Sequence, residues 1–209
     1  MREALRRELQ GLDAAIAVAG ADAVGLLRRA VDLLADADPK VAQEIIAEAV
    51  AAQATQEDIE GAVERAMALQ APVARDLRMM LAAALVAYHI ERVAANAGRI
   101  ARLTLEAPPP LALLPLLADM GDEACRAVQA ALHTFGTGDP AQNVDIEAIS
   151  VHLHQQEREV LEHIPAGRPS GTTALLAARY LARVGEHASA IGHRTATVAL
   201  GRADLELDV

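Results

Sequence analysis

Three consecutive prolines, Pro108, Pro109 and Pro110, stand near the middle of a chain of 209 residues. No helix runs through three prolines, because each lacks the N–H and crowds the preceding turn. Yet nearly everything on either side of them favours helix. Trp is absent, Phe occurs once and Tyr twice. Ala and Leu dominate, with Arg, Glu and Gln as the common polar types, and these lose little side-chain entropy in a helix. The aromatic residues that favour strands are almost missing, and the β-branched ones do not alternate. The sequence therefore predicts an all-α fold in two parts, residues 1–106 and residues 107–209.

Smaller breaks divide each part into three. Asp38-Pro39 should open a second helix, with Asp as N-cap and Pro in the first position. Ala71-Pro72 should open a third in the same way. The stretches Gly136 to Pro140 and Pro165 to Gly171 interrupt the second part. Six helices follow, at about 3–36, 39–69, 72–105, 111–135, 140–164 and 171–201. Short connections between long helices make neighbours antiparallel, so the expected fold is two tandem antiparallel three-helix bundles. The apolar spacing of Leu77, Leu81, Ala84, Leu85, Tyr88 and Val93 places that stripe, starting from Val73, in the core of the first bundle. The halves look duplicated. Ala87 to Ala101 aligns with Ala178 to Gly192, so that Arg92, Val93, Ala97 and Ile100 meet Arg183, Val184, Ala188 and Ile191.

The net charge is −10, and both halves share the acid excess. A nucleic-acid module needs a clustered basic face to neutralise phosphates, so that class is not expected. The longest apolar run, Met79 to Tyr88, is far short of the roughly 20 residues that span a bilayer, so no membrane insertion is expected. The first ten residues carry charges where a secretion signal needs an apolar core. One cysteine, Cys125, allows no internal disulfide and reads as a small buried residue. A cytoplasmic location is the simplest expectation. No Gly-rich phosphate loop and no nucleophile motif is present, so no catalytic residue is assigned.

The most distinctive segment is Leu69-Gln-Ala-Pro-Val-Ala-Arg-Asp-Leu-Arg78, followed by Ile90-Glu-Arg-Val93. In physical terms Asp76 lies near the positive end of a helix dipole, which favours a carboxylate. Arg75, Asp76 and Arg78 look exposed, and replacing Arg78 by Ala should cost no more than about 0.5 kcal/mol if that is so. The segment, with Arg179-Tyr-Leu-Ala-Arg-Val-Gly-Glu-His187 in the second half, resembles the PhoU family of regulators of bacterial phosphate uptake. The resemblance extends over nearly the whole chain through length, repeat and helix order. It implies a non-enzymatic cytosolic adaptor between the ATPase subunit of a phosphate ABC transporter and a sensor histidine kinase. Such an adaptor restrains uptake and the starvation response when phosphate is plentiful. Arg75, Asp76, Arg78, Arg92 and Arg183 are the candidate partner-binding residues, and a homodimer is expected. The alternatives are a metal-binding member of the family and a diverged paralogue serving another transporter or kinase.

The family commonly sets an acid and an Asp four positions apart on the third helix of each bundle, where i and i+4 share a face and can hold a hard cation or iron. Here Glu91 is followed four later by Ala95, and Glu186 is preceded four earlier by Ala182. Glu91 and Glu186 remain the candidate metal ligands, with Glu44, Glu48, Glu57 and Glu60, or His154 and Glu157, as helpers. No cofactor is expected; a divalent metal or iron is the one kind to consider. The pairs His152/His154 and His187/His193 lack one-turn spacing, and the histidines read as surface or interhelical groups.

Overall fold

The computed structural model describes residues 2–140, 143–164 and 169–200. Six helices follow in order: α1 (Arg2–Asp36), α2 (Pro39–Gln70), α3 (Ala74–Glu106), α4 (Leu114–Thr137), α5 (Asn143–His163) and α6 (Pro169–Leu200). A 3-10 turn at Leu111–Leu113 leads from the prolines into α4. Among the described residues no helix is long and apolar enough to cross a membrane.

The start of α2 is as its sequence requires. Asp38 has an extended backbone, its carboxylate accepts the Lys40 N–H at 2.8 Å, and Pro39 occupies the first turn. The third helix differs from expectation. Pro72 does not open it; Val73 is the N-cap and the helix begins at Ala74. The cause is the end of α2. Ala71 closes that helix in the left-handed conformation (φ 44°, ψ 58°), with its N–H bonded to Met67 O at 3.2 Å. Pro72 and Val73 are then spent turning the chain. The fourth helix begins at Leu114, three residues later than expected, because Leu111 to Leu113 wind as the 3-10 turn. It closes on Gly138 at φ 71°. The expected start of the fifth helix at Pro140 falls partly on residues 141–142, and the break after the fifth on residues 165–168, outside the described residues.

Ala71 also supplies a small test. A left-handed alanine carries a steric penalty that glycine lacks, of about 1 kcal/mol. Ala71→Gly should therefore leave the melting temperature unchanged or raise it by a degree or two. A clear fall would mean that this joint is not left-handed in solution.

Helices α1 to α3 pack together, as do α4 to α6, and the halves meet where α3 lies on α6 and α1 on α4. One hydrophobic cluster runs through both, from Leu27, Ile45 and Ile100 to Leu117, Ile146 and Ile191. Helix α3 is the most embedded element, and its buried positions correct the expected stripe. Met80, Ala83, Val86, Ala87, Ile90, Val93, Ala94 and Ala97 are buried, whereas Leu81, Leu85 and Tyr88 remain 47%, 39% and 44% exposed, and Val73 73%. Of the expected stripe, Val93 alone is fully buried; Leu77 and Ala84 are half-buried. Between Met79 and Tyr88 every face of the helix is apolar, so spacing alone cannot fix the phase. Close approach does. The face rich in Ala and Val lets α1, α2 and α6 come near, and the leucines are left outside.

Candidate docking seam and carboxylate sites

The seam between the halves is made by α3 and α6. Nδ1 of His89 lies 3.3 Å from Nδ1 of His187, and the Arg99 guanidinium lies 5.8 Å from the centre of the Tyr180 ring. Positions rising along α3 meet positions falling along α6, so the two helices are antiparallel. The histidine contact is a hydrogen bond between neutral rings, in which one Nδ1 donates and the other accepts. Burial is the main cause that holds both rings neutral, lowering each pKa to about 4. Arg194 adds to it at His89; at His187 the neighbouring His89 and the cations Arg183, Arg92 and Arg99 do so.

The five candidate docking residues fall into two groups. Arg92 and Arg183 belong to the seam, and the charge of each reaches His187. Arg92 Nε donates to the Glu91 carboxylate, and its guanidinium lies 5.5 Å from the centre of the Tyr88 ring. Arg183 is exposed. Arg75, Asp76 and Arg78 stand at the start of α3, about 20 Å away along the helix axis. Arg75 is exposed and lines a cleft of about 210 Å³ with Asp13, Met79, Phe135 and Thr195. Asp76 is half-buried in the first turn. Arg78 is not the exposed charge its sequence context predicts. It is half-buried, and its Nε is enclosed without a hydrogen-bond partner. The face of α3 that α1, α2 and α6 cover decides this, and it takes in Arg78 while Leu81 and Leu85 stay outside. His89 and Arg99 have no motif to single them out; His187 reads from sequence as a surface or interhelical histidine, and it lies between helices. The two histidines are 98 residues apart in sequence, and their meeting depends on contacts between the halves, which the aligned third helices do not reveal.

Glu91 is buried, 6% exposed, on the floor of a cavity of about 440 Å³ between α1, α2 and α3. Asp22, Arg29 and Glu48 also line it. The acids expected to help it are largely committed elsewhere. Arg29 holds Glu48 at 2.8 Å and Glu44 at 3.7 Å, and Glu57 accepts from Gln53. In the second half His154 does reach Glu186, with Nε2 at 3.1 Å, and Glu157, with Nδ1 at 3.3 Å. Arg179 then caps Glu157 at 3.3 Å. These sets do not fit a multidentate metal centre. Ala95 and Ala182 supply no donor, a guanidinium sits on Glu91, and both ring nitrogens of His154 are already used. Among the described residues no group of three or more His, Cys, Asp or Glu is arranged to hold a metal ion. Cys125 is buried, and burial pushes its thiol pKa up.

Residues 16–104 match the family model described as the PhoU domain. The phosphate-specific transport system accessory protein PhoU homolog of Xylella fastidiosa is 30% identical over 193 residues, spanning 88% of this chain and 80% of that protein. The corresponding protein of Caulobacter vibrioides is 28% identical over 194 residues, spanning 88% and 84%. The crystal structure of PhoU from Pseudomonas aeruginosa superposes with a TM-score of 0.87 at 21% identity, covering 94% of this chain and 99% of that one. That of the phosphate transport system regulatory protein PhoU from Streptococcus pneumoniae gives 0.85 at 22%, covering 95% and 98%. The shared architecture is six helices in two three-helix bundles.

Proposed function

Because the chain belongs to the PhoU family of phosphate transport regulatory and accessory proteins, which are not enzymes, we propose that it is a cytoplasmic adaptor that couples a phosphate ABC transporter to a sensor histidine kinase. In phosphate-rich conditions it restrains uptake and represses the starvation response. The observation that carries this reading is the 193-residue correspondence with a phosphate-specific transport accessory protein homologue. The docking residues are Arg92 and Arg183 on the seam, with Arg75 and Asp76 at the start of α3. The transporter's ATPase subunit and the kinase are the partners, and the adaptor acts as a homodimer. The work is done by surface display, without a cofactor: Glu91 and Glu186 serve Arg92 and His154 rather than a metal.

The test is repression in living cells. Deleting the gene should raise a phosphate-responsive reporter several-fold in phosphate-rich medium, and the wild-type gene should restore repression. Arg183→Glu should fail to restore it while melting like the wild type, since an exposed substitution changes stability by no more than about 0.5 kcal/mol. Unchanged reporter output on deletion would overturn the phosphate role. Full repression by Arg183→Glu would remove that residue from the docking surface.

A further inference from the structure

The outer face of α3 is a single line at three- and four-residue steps: Leu77, Leu81, Leu85 and Tyr88, then Arg92, Ala95, Arg99 and Arg102. None of the eight is buried. The first half of the line is apolar, with Leu81, Leu85 and Tyr88 each about two-fifths exposed or more. The second half is arginine, and Arg183 of α6 joins it beside His187. None of the eight is a carboxylate; Glu106 follows one turn past Arg102, at the end of the helix. Glu91, on the same helix, is buried beneath the line and tied to Arg92. Among the described residues no ion pair is formed by Arg99, Arg102 or Arg183.

This is a separation of charge as well as of polarity. Helices α3 and α6 carry eight arginines against four carboxylates, a net +4. The whole chain carries −10, which leaves −14 on everything else. A basic strip in an acidic protein, continuous with a ladder of exposed leucines, has one complementary partner: an amphipathic helix with an apolar stripe that continues into carboxylates.

We infer that the α3–α6 seam docks an acidic amphipathic helix of a partner protein, its apolar turns on Leu81, Leu85 and Tyr88 and its carboxylates on Arg99, Arg102 and Arg183. The inference rests on the docking role proposed above and specifies the chemistry of what docks. Nucleic acid fits poorly, since half the line offers a phosphate backbone nothing but leucine and the remaining surface repels it. An anionic membrane meets the same repulsion. A second copy related by a two-fold axis would set this arginine strip against itself.

The experiment uses the purified full chain and fluorescence anisotropy. The probe is a labelled synthetic helical peptide with leucines at i, i+4 and i+7 followed by two turns rich in glutamate. A matched lysine peptide, a labelled DNA duplex and phosphatidylglycerol vesicles serve as rivals. The acidic peptide should bind, more weakly as salt is raised. Arg99→Glu and Leu85→Asp should each weaken it about tenfold while melting as the wild type does. Arg102→Glu is the second charge variant, should Arg99→Glu lose its fold. The inference is overturned if the acidic peptide does not bind, if the lysine peptide, the duplex or the vesicles bind as well, or if the folded variants bind like wild type. It is overturned equally if light scattering shows that Leu85→Asp turns a wild-type dimer into a monomer, which would place another copy of the chain on this line. The measurement contains no phosphate system, so it can fail while phosphate repression stands and succeed while that repression is absent.

Discussion

Gly98→Leu is expected to lower the melting temperature by about 10 °C or more, corresponding to about 3 kcal/mol for a domain of this size. The glycine sits where α3 crosses α2. A Cβ placed on it would stand 2.7 Å from the Cβ of Ala49 and 4.0 Å from the Cα of Ile46. Neither atom can rotate away, because both are fixed to the backbone of α2. The helices would have to part, and the cost falls on the element that carries much of the core. Gly98→Ala should do less, since the better helix propensity of alanine returns about 1 kcal/mol. Gly25→Ala is the contrast. A Cβ there meets nothing within 4 Å, so the substitution should stabilise by up to about 1 kcal/mol. Circular dichroism melts of the three variants decide the matter. A Gly98→Leu protein that melts with the wild type would show that the α2–α3 crossing is looser than its geometry indicates.

The second large effect is a loss of stability in mild acid. His89 and His187 have pKa values near 4 in the fold against 6.5 for a free imidazole. Between those values the unfolded chain binds protons that the folded chain refuses. Their contribution is therefore complete above about pH 6.5 and declines as the pH falls towards 4. Each unit of depression is worth about 1.4 kcal/mol at most, and solvent screening at the half-buried rings brings the pair to about 3 kcal/mol in all. Denaturant titrations at pH 7, 6 and 5 should show a decline that begins before the carboxylates titrate. The double variant His89→Asn, His187→Asn should be less stable at pH 7 and flatter below it. Parallel curves for the variant and the wild type would mean that the histidines are freely protonated and carry none of the pH dependence.

Much of this fold could be read from local chemistry. Asp38-Pro39 caps and starts α2 within its own four residues, and the three prolines end α3's reach whatever surrounds them. The phase of α3 could not be read that way. Its run from Met79 to Tyr88 is apolar on all sides, and only the neighbours decide that Met80 and Val86 go in while Leu81 and Leu85 stay out. Arg78 follows the same rule: the neighbours that choose the inward face of α3 also half-bury it. At the candidate sites, the gaps at Ala95 and Ala182 were visible as missing carboxylates. The seam was not: His89 and His187 are 98 residues apart, and nothing local to either announces the other. Arg92 and Arg183 were found through the repeat, which marks equivalent positions without revealing that they converge.

The uneven placement of charge on α3 and α6 has a consequence for kinetics. A body with a positive strip and negative flanks turns in the field of a charged partner before the surfaces touch. Encounters are thus orientated during approach, and more of them succeed. The screening length in physiological salt is about 8 Å, so this guidance acts only over the last stretch of the approach. The strip would thus govern how fast a complex forms more than how long it lasts. That would suit the adaptor role proposed above, in which partners are met and released as conditions change.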